Sequence, residues 1–349
     1  MPAPLITFVR RHWSEAGGAE RYLSRLVKRL SDMEYRCQLL CESWNQQEPP
    51  FEKIQIIKTG GFRHTQPETF ANGVNRIPRK DLGVVFSLER GITAPIYRAG
   101  DGLHRQWLAR RARGHFWQQV RNNLSLKNHV LHAMEKQTFH PSVTGMVIAN
   151  SEMVKAEILA NTEYPAERVT VIPNGVDADY FGSGSREAGR KTLSWGDDEL
   201  ICLLVGRGAV RKGHEQARQV VEQLGAPARL VIIDSPPACS MPDVYAAADV
   251  FLFPTRYDPF ANVTLEAMAA GLPVMTTRSN GAKQVIEDGK NGFLVEDAFA
   301  IDEMCEQLRK LQDIHLRRVV GVAAQETARQ CSWEKHLQAT LAVINQAAQ

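Results

Sequence analysis

Long hydrophobic runs are missing from this chain of 349 residues. No stretch reaches the ~18 consecutive uncharged apolar residues that a membrane-crossing helix needs. The short apolar run near the start, Leu5-Ile6-Thr7-Phe8-Val9, has no basic region ahead of it, so it reads as a first strand and not as a secretion signal. Cysteine is scarce. Cys37, Cys41, Cys202, Cys239, Cys305 and Cys331 are scattered, without the paired spacing of a zinc site or a disulfide framework. Cytosolic thiols and no metal are the expectation. An excess of one charge is lacking too: a net +3 is too small to mark a nucleic-acid binder. Tandem repeats and low-complexity tracts are absent. So is the Gly-x-Gly-x-x-Gly loop with which a nicotinamide enzyme would hold its cofactor, which disfavours a dehydrogenase.

What is present suffices for two domains. The length fits two of ordinary size, and an apolar share of 44% is enough for two cores. The most informative stretch runs from Val250 to Thr277. Val250-Phe251-Leu252-Phe253 reads as a buried parallel strand bounded by Pro254. A loop carrying Asp258 and Pro259 follows. From about Ala261 the pattern turns helical, with Val263, Leu265, Met268 and Ala269 on one face, until Gly271-Leu272-Pro273 stops it. Pro273 to Thr277 reads as the next strand. In such a unit the helix opens at the carboxyl end of the sheet, where α/β folds bind ligands.

Asp258 and Glu266 bracket that helix start. Between them, free N–H groups of Phe260, Ala261, Asn262 and Val263 and the positive end of the helix dipole make an anion site suited to phosphate. Carboxylates serve hydroxyls better than phosphates, so a ligand with both parts, a sugar nucleotide, accounts for the set. The plainer alternative is that Asp258 caps the helix and Glu266 is a solvated acid.

The Asp258-x7-Glu266 spacing, followed by Ala-Met-Ala-Ala-Gly-Leu-Pro-Val, resembles the Glu-x7-Glu signature of the family 4 retaining glycosyltransferases. In that family the first acid holds donor-sugar hydroxyls and the second the nucleotide ribose. Here the first acid is the shorter Asp, and Ala261-Asn262 stand where Gly and an apolar residue are common. Gly206-Arg207-Gly208-Ala209-Val210-Arg211-Lys212-Gly213, after the strand Leu200–Val205, matches the family's Gly-Arg…Lys-Gly cations at Arg207 and Lys212, with Arg211 extra. Ser14 to Arg21, which contains Gly17 and Gly18, is similar to the family's Gly-Gly-x-Glu-Arg loop. Read alone, that glycine pair is a tight turn opening a helix over Tyr22, Leu23, Leu26, Val27 and Leu30.

Elsewhere the reading is coarser. Cys37–Glu42, Ile54–Lys58, Val84–Ser87, Val147–Ala149 and Leu230–Asp234 read as strands, and 59–80 as a polar loop. Asp101 and His104 lie in a glycine-bearing loop where relatives that build lipopolysaccharide core carry an Asp or His near sugar and acceptor. Asp101 is the first choice; a turn Asp bonding its own backbone is the alternative. Across 98–136, Arg98, Arg105, Arg110, Arg111, Arg113, Arg121, Lys127 and Lys136 face only Asp101 and Glu135, interleaved with Trp107, Phe116, Trp117 and leucines. That composition suits an anionic membrane surface or a phosphorylated lipid-linked acceptor; a solvated helix face over core residues is the other reading. Val169 to Asp177 resembles the segment joining the family's two domains. Gly182–Arg186 reads as a linker, and Asp177-Ala178-Asp179 as a loop. Pro236–Pro242 stands where relatives insert a helix and a strand, so the second domain is abbreviated. Asn280-Gly281-Ala282-Lys283-Gln284 sits where Gly-Gly-x-x-Glu is frequent. Residues 301–330 read as helices, and Trp333–Gln346 as a last segment.

The resemblance implies an α/β GT-B fold: two Rossmann-like domains facing across a cleft, with a C-terminal helix crossing back to the first. The expected divisions are 1–175 for acceptor binding, 176–330 for the nucleotide sugar, and 331–349 for that helix. It implies a metal-independent hexosyltransferase acting with retention, with no cofactor beyond its nucleotide-diphosphate sugar, UDP-sugar favoured. The expected catalytic residues are Arg207, Lys212, Asp258 and Asp101. Gly17, Gly18, Phe260, Ala261, Asn262, Val263 and Glu266 would bind the sugar nucleotide. His104, Arg105, Arg110 and Arg111 would meet an acceptor or membrane. The expected setting is lipopolysaccharide core assembly on the cytoplasmic face of an anionic inner membrane, without nucleic acid. The alternative is an inactive protein of this fold that binds a sugar or lipid.

Overall fold

The computed structural model describes residues 5–13, 18–44, 51–113 and 116–349. The chain forms two compact units, Met1–Ile172 with Leu337–Gln349, and Pro173–His336.

The first unit is built on β1 (Leu5–Val9), α1 (Gly18–Asp32), β2 (Arg36–Cys41), β3 (Lys53–Ile56), α2 (Gln66–Asn75), β4 (Val84–Ser87) and β5 (Ala94–Ala99). It continues with α3 (His104–Ala112), α4 (Phe116–Leu124), α5 (Leu126–Thr138), β6 (Thr144–Ala149), α6 (Glu152–Asn161) and β7 (Val169–Val171). Its strands are parallel in the order β3-β2-β1-β4-β5-β6-β7. The order reverses between β1 and β4, and that switch point fixes where a ligand meets the sheet. Parallel strands are buried on both faces, which is why β1 and β4 are apolar almost throughout. Val9, Phe70, Val85 and Met134 belong to one apolar cluster of this unit, and Tyr97, Phe139, Val147 and Ile158 to another.

Two expectations fail in this unit. The stretch 59–80 holds helix α2, because Phe70, Ala71 and Val74 recur at helical spacing and bury against the sheet. Residues 94–99, to which the sequence reading assigned no strand, form β5 between β4 and β6, so Arg98, expected on the basic face of 98–136, lies inside the unit at 5% exposure with its guanidinium 3.8 Å from the Tyr22 ring centroid.

The second unit contains α7 (Ala178–Gly182), α8 (Arg186–Leu193), β8 (Leu200–Val205), α9 (Ala209–Lys212), α10 (His214–Leu224), β9 (Ala228–Ile233), α11 (Met241–Ala247) and β10 (Val250–Phe253). Then come α12 (Asn262–Ala269), β11 (Val274–Thr277), β12 (Phe293–Val295), α13 (Ile301–Lys310), α14 (Ile314–Gln330) and α15 (Trp333–Ala348), whose last part belongs to the first unit. The parallel order is β12-β11-β10-β8-β9, the doubly wound order whose switch point lies between the first and third strands, here β8 and β10. The two parallel sheets bear out the expected pair of Rossmann-like domains. The link from β9 to α11 is the short stretch 234–240, and β9 is left at the sheet edge. The supposed linker at 182–186 joins α7 to α8 inside this unit, where a side chain at Gly184 would run into the Pro242 carbonyl. Asp177, expected in a loop, caps α7 by accepting the Tyr180 N–H at 3.1 Å.

Candidate functional site

The site grows from the switch point of the second unit. The segment after β8 carries Arg207 to Gly213, including the single turn α9, and the loop after β10 carries Thr255 to Ala261. They are tied together: the Arg211 carbonyl accepts from Thr255 Oγ1 at 2.8 Å and from the Arg256 N–H at 2.9 Å. Gly213 is obligatory at this crossing. Its φ is +77°, and a Cβ there would collide with the Pro254 carbonyl.

Asp258 sits at the centre, 5% exposed. Its Oδ2 takes Lys212 Nζ and Arg211 Nη1, each at 3.0 Å. Burial pushes the Asp258 carboxyl up, but Lys212, Arg211 and the Phe260 N–H outweigh it and hold the group below the usual carboxylate range. Lys212 is 8% exposed, with Nζ 4.6 Å from the Phe253 ring centroid. Burial lowers its ammonium below the ordinary lysine value, and Asp258 works against that pull. Arg207 stays exposed at the rim, its Nε donating to the Asp234 carbonyl at 2.9 Å.

Helix α12 begins at Asn262, one residue after the expected start. The expectation of four free amides is corrected. The Phe260 N–H is turned onto Asp258, and the Ala261 N–H donates to Asn280 Oδ1 at 3.3 Å. Asn262 and Val263 remain as the first amides of the helix proper, without carbonyl partners one turn back within it. Asn262 Oδ1 accepts from Asn174 Nδ2 at 2.6 Å. Glu266 is half-buried, and Tyr245 Oη donates to its Oε2 at 2.8 Å.

In the first unit the switch point gathers charge around Arg10, which directly follows β1. Its Nε meets Glu20 at 3.1 Å, and its Nη1 meets Glu89 at 3.3 Å and Asp101 at 3.6 Å. Asp101 is well exposed, at 59% for its side chain. His104 opens α3, where its N–H donates to Glu135 and Nε2 meets Asn128 Oδ1 at 3.1 Å. Burial pulls the His104 imidazole down to about 4, so it is neutral near pH 7. Arg105 is exposed and Arg111 half-buried. Arg110 is paired to Glu157 at 3.2 Å and Arg98 is buried, so neither belongs to an open basic face. Gly17 lies outside the described residues; Gly18 opens α1.

Sequence reasoning missed Arg10, Glu20 and Asn280 as site residues and did not foresee the Tyr245 contact. For Arg10 a signal existed: a charge placed immediately after a buried strand ends at the ligand edge of a parallel sheet. Asn280 and Tyr245 offered none, because only folding brings them to their partners.

A family model described as Glycosyl transferases group 1 matches residues 190–313, and one described as Glycosyltransferase Family 4 matches residues 100–180. The chain belongs to these glycosyltransferases, of the GT-B type. Among its relatives is the D-inositol 3-phosphate glycosyltransferase of Kribbella flavida, 24% identical over 95% of this chain and 91% of that protein. The sulfoquinovosyl transferase SQD2 of Arabidopsis thaliana is 28% identical, but over 54% of this chain and 42% of its own length. Two solved structures share the fold. WaaG, a glycosyltransferase involved in lipopolysaccharide biosynthesis, superposes with a TM-score of 0.82 at 19% identity, covering 97% of this chain and 99% of that one. Anabaena HepE in complex with UDP-glucose gives 0.76 at 16% identity, over 98% and 100%.

Proposed function

We propose that this glycosyltransferase moves a hexose from a nucleotide-diphosphate donor, UDP-sugar first, to a glycan or lipid-linked acceptor with retention and without a metal, in lipopolysaccharide core assembly. The observation that carries the reading is the cluster at the β8/β10 switch point. One carboxylate, Asp258, faces Arg211 and Lys212, with Arg207 at the rim and the start of α12 alongside, so positive charge is in excess where a diphosphate would lie. Asp258 and Glu266 are then left to meet hydroxyls of sugar and ribose.

In the proposed reaction the bond from the anomeric carbon to the leaving phosphate breaks, and its electron pair goes to that phosphate. Arg207, Lys212 and the amides of Asn262 and Val263 meet the growing charge. The acceptor oxygen bonds to the anomeric carbon on the same face, and its proton passes to a phosphate oxygen, so no separate base is needed. Asp101, exposed and steadied by Arg10, is the proposed carboxylate on the acceptor side, with Arg105 and Arg111 as cations for a phosphorylated acceptor. A peripheral place on an anionic membrane is supported by Phe116, Trp117, Leu124 and Leu126, 64–78% exposed, near exposed Arg113, Arg121 and Lys127. No helix among the described residues is long and apolar enough to cross a membrane.

A thermal-shift panel of UDP-, GDP- and ADP-sugars tests the reading. A ligand at 100 times its dissociation constant adds about 2.7 kcal/mol, and UDP-sugars should give that response. Arg207→Ala should retain the fold and lose roughly 100- to 1000-fold in rate. Silence across the whole panel, or full activity of the variant, would end it.

A further inference from the structure

Asn280 lies in the turn after β11, fully buried, and uses its whole hydrogen-bonding capacity. A side-chain amide offers two donors and a two-fold acceptor. Here Oδ1 accepts from the Ala261 N–H at 3.3 Å and the Ala282 N–H at 3.0 Å, while Nδ2 donates to Thr264 Oγ1 at 3.0 Å and Thr276 Oγ1 at 3.1 Å. One residue therefore joins the loop before α12, the first turn of α12, the end of β11 and the turn at Gly281–Val285. The backbone on either side reinforces the join: the Asp258 N–H donates to the Ser279 carbonyl at 3.0 Å, and the Asp258 carbonyl accepts from the Gly281 N–H at 2.7 Å.

We propose that Asn280 is a positioning residue for the phosphates of the nucleotide, acting through the amides it arranges; this rests on the donor site described under Proposed function. By drawing the Ala261 N–H inward, Asn280 decides that an anion at the head of α12 meets the amides of Asn262 and Val263 and not the one before them. Through the bridge to Asp258 the same residue sets the height of the carboxylate that holds Arg211 and Lys212. A mere brace would contribute only to stability. A residue that aims charge must also affect affinity for the phosphate part of a ligand, and for that part alone.

The experiment measures binding by the full chain, by titration calorimetry well below its melting temperature. The probes are UDP, GDP, ADP, inorganic pyrophosphate and the nucleoside of whichever diphosphate the wild type binds. Asn280→Asp keeps the size and the Oδ1 acceptor but exchanges the two donors to Thr264 and Thr276 for a negative charge behind the helix head, where like charge opposes an anion. It should weaken the diphosphate and pyrophosphate roughly 10-fold and leave the nucleoside unchanged. Asn280→Ser, which adds no charge but releases the Ala261 N–H, should lower diphosphate affinity by a smaller factor. Asp249→Asn, at the opposite end of β10, supplies a destabilised control that binds like the wild type. Wild-type affinity for diphosphate in both Asn280 variants overturns the inference, as does equal loss of diphosphate and nucleoside. A wild type that binds none of the probes instead overturns the donor-site reading beneath it.

Discussion

Asp258 carries two cations on a single buried oxygen, so removing its charge should leave Lys212 inside the unit without the carboxylate it is hydrogen-bonded to. Breaking a buried pair from one side typically costs about 3–5 kcal/mol. Asp258→Asn should therefore lower the urea midpoint strongly, and a loss below about 1 kcal/mol would mean that Lys212 has swung out to solvent. Asp249 binds Arg190 at 2.7 Å, Arg186 at 2.8 Å and the Ile201 N–H at 2.8 Å, but it sits before β10, away from the ligand edge. The same kind of cluster thus serves stability at one end of the strand and, on our proposal, chemistry at the other. His104 has a pH consequence. Its folded-state value of about 4 lies below the ordinary 6.5, so the unfolded chain takes up the proton first. Stability from this group is complete above pH 6.5 and is lost as the pH falls toward 4. Melting curves at pH 7.5 and 5 should converge in His104→Gln relative to the wild type; an unchanged gap would place the effect elsewhere.

At the scale of elements, α12 is positioned by what packs behind it. Gly321 of α14 touches Gly271, just past the end of α12, so closely that an added Cβ would collide with the Gly271 carbonyl. Gly321→Ala should push the two helices apart and cost about 1–3 kcal/mol, the usual range for an overpacked contact. A melting temperature equal to wild type would show that α14 can shift freely. The elements that sequence patterning located well were those with continuous apolar runs: β1, β8 and β10 stand where Leu5–Val9, Leu200–Val205 and Val250–Phe253 place them. Helix α2 and strand β5 escaped because their signals are mixed. Gln66–Asn75 contains Pro67 and Gly73, and β5 carries a charge, Arg98, in a buried strand, where it lies over the Tyr22 ring face.

On the scale of the whole molecule, each sheet brings its charged residues to a switch point: Arg10, Glu89 and Asp101 in the first unit, Arg207, Lys212 and Asp258 in the second. The first unit also presents Phe116 and Trp117 outward from α4. On the membrane docking we propose, replacing both with Ala should release the protein from vesicles containing anionic lipid in a co-sedimentation assay, without altering its melting temperature. Retention on the vesicles would assign those rings to another partner.

The Asp258-x7-Glu266 spacing, the Arg207 and Lys212 cations and the apolar strands determined the family and the two-sheet architecture, because local patterning fixes periodicity and the residues that follow each strand. The partners of those groups were decided only by tertiary structure. That Asp258 joins Arg211 and Lys212, that Asn280 takes the Ala261 N–H and that Arg98 lies on Tyr22 depend on contacts between segments distant in the chain. Which polar groups satisfy one another is settled only when burial removes water as the competing partner.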